Sequence, residues 1–188
     1  MIAWVTPTRR VIRWRPLLCA PVWLLVVGAL LRNGNVADIR TPVWCALGVL
    51  SAAALLAFDD PAHALLAAVP TTVRRRHARR LALVGSCLAV CWGFVAVVGE
   101  RTFDAWPSSA GVRLLALFAT GMAAMVMCER RRPDVAATVG AVVPLVWAVG
   151  GQAIPASGIV RSVADLWLVH PWAVVVVASS LAFVAADR

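Results

Sequence analysis

Residues 74–99 read RRRHARRLALVGSCLAVCWGFVAVVG, a run of arginines followed directly by an apolar stretch from Leu81 to Gly99. A helix needs roughly 20 apolar residues to cross the hydrocarbon core of a bilayer. Basic residues that flank such a stretch are retained on the cytoplasmic side of the membrane. The segment therefore predicts a membrane-spanning helix that starts in the cytoplasm.

Similar apolar runs divide the rest of the chain. The predicted spans are residues 16–31, 41–58, 81–99, 112–128, 135–154 and 166–186. The first is short, so flanking residues or a locally thinner bilayer must complete it. With 62% apolar residues and a mean hydropathy of +0.84, the chain has too little polar surface to cover a soluble globule. We predict an all-α fold, an integral membrane bundle of six transmembrane helices that forms a single domain over residues 1–188.

The arginines fall unevenly on the two sides of these spans. All 18 basic residues are arginine, and most lie in the 9–15, 74–80 and 130–132 clusters, which the six-span arrangement places on one side with Arg188. The other side receives Arg32, Arg40, Arg101, Arg113 and Arg161. The asymmetry predicts a multi-pass protein of the plasma membrane, with both termini in the cytoplasm. A five-span chain would put either the 130–132 cluster or the C-terminus on the wrong side.

The net charge of +9 also raises the possibility of nucleic-acid binding. However, the arginines lie at membrane ends, where topology and anionic headgroups account for them. We therefore predict the lipid bilayer, and no nucleic acid, as the partner of these side chains.

Residues suited to catalysis or metal binding are sparse and scattered. The histidines do not join a serine and an acid at one predicted depth, and no phosphate-binding or zinc-protease motif occurs. Cys87 and Cys91 are one helical turn apart, but zinc needs about two further ligands, and none is evident. We predict no enzymatic activity, no metal and no cofactor. In the fifth span, Ala136, Gly140 and Pro144 recur every four residues, which favours close approach to a neighbouring helix or a bend.

The loop between the second and third spans carries the most specific pattern. Asp59 or Asp60 followed by Pro61 is typical of a helix start, because aspartate caps free N–H groups and proline fits the first turn. The predicted helix ends at about Val69, before Pro70. It is a short cytoplasmic helix on the membrane surface, with two interpretations. Either its apolar stripe, formed by Leu65, Leu66 and Val69, is buried among lipid headgroups, or the helix docks a cytoplasmic partner. The candidate docking residues are Asp59, Asp60, Pro61, Leu65, Leu66, Val69, Arg74, Arg75 and Arg76.

The stretches 57–62 and 65–71, with the arginine run that follows them, resemble a segment of small multi-span actinobacterial membrane proteins regarded as ABC transporter permease subunits. The resemblance covers residues 57–80 closely and the six-span layout loosely. It implies an export system in which a separate ATPase docks on residues 59–80. A complete channel would need a second membrane subunit or a homodimer, because this chain has almost no extramembrane domain. The alternative is a non-transporting membrane protein that acts as an assembly or regulatory partner.

Overall fold

The computed structural model describes residues 14–33, 40–58, 73–102, 107–129, 131–153, 167 and 169–187. These residues form six helices and no strand, which confirms the all-α prediction. The helices are α1 (Trp14–Asn33), α2 (Arg40–Leu56), α3 (Val73–Thr102), α4 (Ala110–Glu129), α5 (Ala136–Ala153) and α6 (Pro171–Asp187). Each coincides with one of the predicted spans.

Two helix starts differ from the predicted boundaries. Helix α3 begins at Val73, so the arginine run forms its first turns; arginine is a good helix former, and neither Gly nor Pro interrupts residues 73–81. Helix α6 begins at Pro171, whereas the predicted span began at Leu166. The Ala173 N–H donates to the His170 carbonyl at 3.0 Å, and proline is well suited to the first helical position.

Two of the described helices contain segments long and apolar enough to cross a membrane, Ala78–Arg101 in α3 and Ala110–Glu129 in α4. The other four contain shorter apolar segments of 10–17 residues, namely Trp14–Val26, Pro42–Leu56, Ala136–Val149 and Pro171–Ala185. The structure thus provides six apolar helices, and the number that spans a bilayer remains a prediction.

Helix α2 lies at the centre of the bundle, where it contacts α1, α3, α4 and α5. The most extensive pairings are α2 with α5, and α4 with both α5 and α6. Helix α3 is peripheral. Only 17% of its apolar segment is buried, against 44% of that in α4. The core therefore consists mainly of α2, α4, α5 and α6.

Glycines allow α2, α4 and α5 to cross closely. A methyl group added at Gly121 would lie 2.6 Å from the Gly140 carbonyl oxygen, and one added at Gly140 would lie 3.0 Å from the Gly121 carbonyl oxygen. A methyl group at Gly48 would lie 2.6 Å from the Ala148 Cβ atom. Each of these distances is shorter than ordinary van der Waals contact, so only glycine fits at these positions. The predicted close approach at Gly140 is confirmed.

Pro144 contributes to the same crossing. Its side chain is fully buried inside α5, and proline has no N–H group to donate to the carbonyl four residues earlier. That carbonyl belongs to Gly140, and it faces Gly121 on α4. The reciprocal approach of the two glycines is a geometry in which Cα–H groups interact with carbonyl oxygens across a helix interface.

Candidate functional site

One end of the bundle contains the start of α1, the end of α2 and the start of α3. The Arg80 guanidinium donates from Nη1 to the Phe58 carbonyl oxygen at 3.1 Å. This bond places the early part of α3 beside the end of α2. Helices α1 and α2 contact each other and are joined only by residues 34–39, so they run in opposite directions. The start of α1 therefore lies at this same end.

The end of α4 also belongs to this end of the bundle. Near the start of α4, the Arg113 guanidinium carbon lies 4.8 Å from the centroid of the Trp44 ring, near the start of α2. Further along, Gly121 approaches the side chain of Leu55. Helices α2 and α4 thus run in the same direction. The turn that follows α4 consequently lies near Phe58.

That turn is short and exposes two arginines. The Arg131 and Arg132 N–H groups both donate to the Cys128 carbonyl, at 2.9 and 2.8 Å. Both side chains are exposed. The bonds close the end of α4 beside these two exposed side chains.

The described arginines therefore divide between the two ends of the bundle. Among the described side chains, this end carries Arg15, Arg79, Arg80, Arg131 and Arg132, and the backbone of residues 74–76 begins α3 here. We call it the basic end. The opposite end carries Arg101 and Arg113, with the Trp44 ring beneath the latter. The seven arginines whose side chains the structure describes divide between the two ends as the sequence grouped them. The grouping of the others, and the compartment that each end faces, stay predictions.

Most of the predicted docking residues lie outside the described part of the chain. They are Asp59, Asp60, Pro61, Leu65, Leu66 and Val69. Arg74, Arg75 and Arg76 lie in the first two turns of α3, where the structure describes only their backbone. The short helix over residues 61–69 remains a prediction, flanked by Phe58 and Val73.

Arg80 and Phe58 hold the two ends of this undescribed segment together. Phe58 is 4% exposed and Arg80 is 8% exposed, so the bond between them is shielded from water. Cations bind favourably to the carbonyl groups at a helix C-terminus. The Phe58 ring also packs against Phe118 of α4, with ring centroids 6.3 Å apart. We call this arrangement the Arg80 clasp.

The sequence contained a signal that distinguishes Arg80 from the other arginines. It lies four residues before Val84 and eight before Leu88, and both of those side chains are buried. Arg80 therefore continues the buried stripe of α3, since residues four apart share a helix face. Reading the arginine run only as a charge cluster misses this position.

The side chains that could form a metal or redox site are the His, Cys, Asp and Glu of the described helices. They contain no group of three or more His, Cys, Asp and Glu side chains close enough to hold a metal ion. All five cysteines are free thiols. Cys87 and Cys91 lie one turn apart on α3, and no third ligand-type side chain joins them within the described part of the chain.

In comparisons with known proteins, no family model, curated protein or solved structure matches this chain. The resemblance to ABC permease subunits therefore stays a prediction that rests on residues 57–80.

Proposed function

We propose that the chain is a six-span membrane protein whose basic end faces the cytoplasm. The supporting observation is the composition of the outer surface. Large apolar side chains are exposed on five helices, and α6 alone exposes Trp172, Val176, Val177, Leu181, Phe183 and Val184. A soluble bundle would carry polar residues on these faces. Exposed apolar surface of this extent favours lipid as the surrounding medium.

The shorter helices are compatible with six spans. Helices α2 and α6 each contain 17 residues, which at about 1.5 Å per residue gives a length of about 26 Å. The hydrocarbon core is about 30 Å thick, and flanking residues or slight bilayer thinning can make up the difference. Helix length therefore does not oppose the proposal.

For the function, we propose that this protein is the membrane subunit of an ABC-type export system. A separate ATPase would dock on residues 59–80. The Arg80 clasp supports this proposal, because a docking segment transmits force to the spans only if its ends are held rigidly. The arginine cluster beside the segment and the resemblance of residues 57–80 to permease subunits also support it.

The packing of the core restricts where a substrate could pass. Among the side chains that the structure describes, the buried polar ones are Ser51 and Arg80, and glycines bring α2, α4 and α5 into direct contact. A polar solute needs polar groups or water along its route. Under the export proposal, the path must therefore lie between this chain and a second membrane subunit or a second copy.

The same close packing favours a second candidate function, that of a non-transporting assembly or regulatory partner. Such a protein needs a stable bundle and a docking surface, and it needs no interior path. The two candidates differ in the partner that binds the basic end. The first requires an ATPase, whereas the second requires another membrane or cytoplasmic protein and no nucleotide hydrolysis.

Purification with partners tests the docking proposal. We expect an ATPase to copurify with the tagged protein, and Leu65→Trp to weaken that association by about 1–3 kcal/mol, the usual cost of overpacking a close-packed groove. The matched control is Leu181→Trp, at an exposed position of α6, which should leave recovery unchanged because lipid imposes no shape. Recovery of the ATPase is measured by immunoblot, alongside export in cells.

Two outcomes would contradict the export proposal. If no ATPase copurifies with the parent protein, the ATPase-dependent function fails. If ATPase copurifies but Leu65→Trp and Leu66→Trp leave its recovery unchanged, residues 59–80 are not the docking site, and the apolar stripe lies in the lipid headgroups.

A further inference from the structure

Helix α6 lies at the edge of the bundle and buries only one of its sides. Val174 and Ala178 are buried on the side that packs mainly against α4. The opposite side is exposed and carries Ala173, Val177, Ser180 and Val184. These positions are spaced by four, three and four residues, so they follow one line along the helix. We call this line the α6 seam, and no other described helix covers it.

Ser180 places a hydroxyl group near the middle of the α6 seam. Helix α6 contains 17 residues, from Pro171 to Asp187. At about 1.5 Å per residue, Ser180 lies about 14 Å from the start of the helix. In a membrane-spanning helix this position is close to the midplane of a hydrocarbon core about 30 Å thick. An unbonded hydroxyl group is costly there, because no water is present to bind it.

Two other hydroxyl groups in the helices bond to their own backbone. Ser86 on α3 donates to the Ala82 carbonyl. Thr120 on α4 donates to the Ala116 carbonyl in the same way. Among the described residues, Ser180 forms no such bond. Lipid covers the valines of the seam as well as protein would, but acyl chains offer this hydroxyl no partner. A polar group on a neighbouring helix would provide one.

A second copy of this chain supplies a matching group. All copies insert in the same direction, because the arginine distribution is the same in each. Two α6 helices related by a two-fold axis along the membrane normal therefore run parallel, and each seam position meets its own counterpart. A hydroxyl group both donates and accepts a hydrogen bond, so two copies of Ser180 complement each other. Residues 171–186 carry no charge that would oppose the contact.

We propose that the chain forms a homodimer through the α6 seam, with the two Ser180 hydroxyl groups hydrogen-bonded at the centre of the contact. Ala173 and Ser180 are small and lie seven residues apart on the seam, which lets the two helices approach closely. The inference rests on the proposed membrane insertion. It identifies the face at which the second copy considered in the export proposal would bind, and it is independent of the ATPase.

Oxidative cross-linking in membranes tests this contact. After replacement of the five native cysteines, Ser180→Cys should give a disulfide-linked dimer on treatment with copper phenanthroline. Ala173→Cys should cross-link as well, since it lies on the same seam. The matched control is Ser86→Cys, which places the same group at an exposed position of α3 and should remain monomeric.

Dimer dissociation in lipid vesicles measures the contribution of the hydroxyl pair. Energy transfer between labelled copies is followed over a range of protein-to-lipid ratios. Ser180→Ala should raise the dissociation constant about fivefold, the effect expected for one hydrogen bond between membrane helices. Ser86→Ala should leave the dissociation constant unchanged, because that hydroxyl already bonds to its own helix.

Three results would overturn the proposed homodimer. They are no cross-linking of Ser180→Cys, equal cross-linking of Ser86→Cys, and a parent protein that remains a single 20.0 kDa chain at every protein-to-lipid ratio. The last result comes from the unaltered chain, so it does not depend on the folding of a variant. Equal effects of Ser180→Ala and Ser86→Ala would refute the hydroxyl pair. Resistance of the parent protein to alkaline extraction from membranes is measured separately. Resistance combined with a monomeric protein would refute the α6 contact and leave membrane insertion intact.

Discussion

Replacing Gly121 by alanine is expected to destabilise the bundle by about 1–3 kcal/mol, the usual cost of an added methylene in a close-packed core. The new methyl group would lie 2.6 Å from the Gly140 carbonyl oxygen. Backbone atoms cannot rotate away as a flexible side chain can, so α4 and α5 must move apart. Their separation would also loosen α2, because Leu55 packs on Gly121.

Gly93→Ala on α3 is the matched control for this effect. A methyl group at Gly93 would have no atom within 4 Å, and alanine is favoured over glycine inside a helix by roughly 0.5–1 kcal/mol. The two substitutions are chemically identical, yet we expect opposite signs. Denaturant titrations in detergent, followed by helical circular dichroism, measure both. Similar effects at Gly121 and Gly93 would show that the close crossing of α4 and α5 is wrong.

Replacing Arg80 by glutamine is expected to have the second-largest effect. Hydrogen bonds to charged groups contribute about 1.5–3 kcal/mol, and the loss would leave the buried Phe58 carbonyl without its guanidinium donor. The loss should also act on the 59–72 segment, because Arg80 joins its two sides. We therefore expect faster chymotrypsin cleavage near Leu65 and Leu66 in the variant, together with lower overall stability.

Arg131→Gln is the control for the Arg80 substitution. Arg131 carries the same charge at the same end, but its side chain is exposed, so this change should affect neither stability nor cleavage by much. Mass spectrometry of the fragments identifies the cleavage sites. Equal cleavage rates in the parent and in Arg80→Gln would contradict a role for the clasp in holding the segment.

The helices were predictable from sequence because each apolar run is bounded by charge, proline or glycine. The exception is the start of α6, where the predicted span ran through His170. Trp167 and Val169 are helical too, but His170 separates them from the helix that begins at Pro171. Apolar character alone does not locate a break between helices. The proline at the first position was the more informative signal.

The helix crossing and the clasp were only partly predictable. The spacing of Gly140 and Pro144 predicts a close approach on α5, but no single-helix pattern identifies Gly121 as the facing residue. That pairing depends on how α4 and α5 pack in three dimensions. The arginine run did not distinguish Arg80 from its neighbours either. Its burial depends on the position of the end of α2, which is set by the packing of the helices.

The orientation of the basic end is the central claim, and cysteine labelling of intact cells tests it most directly. After replacement of the five native cysteines, single cysteines are introduced at Pro133, in the turn beside the exposed arginines, and at Ser108, in the exposed turn at the opposite end. Neither substitution changes the arginine distribution. We predict that a membrane-impermeant maleimide labels Ser108→Cys in intact cells, and labels Pro133→Cys only after the cells are made permeable. Labelling of Pro133→Cys from outside would contradict a cytoplasmic basic end.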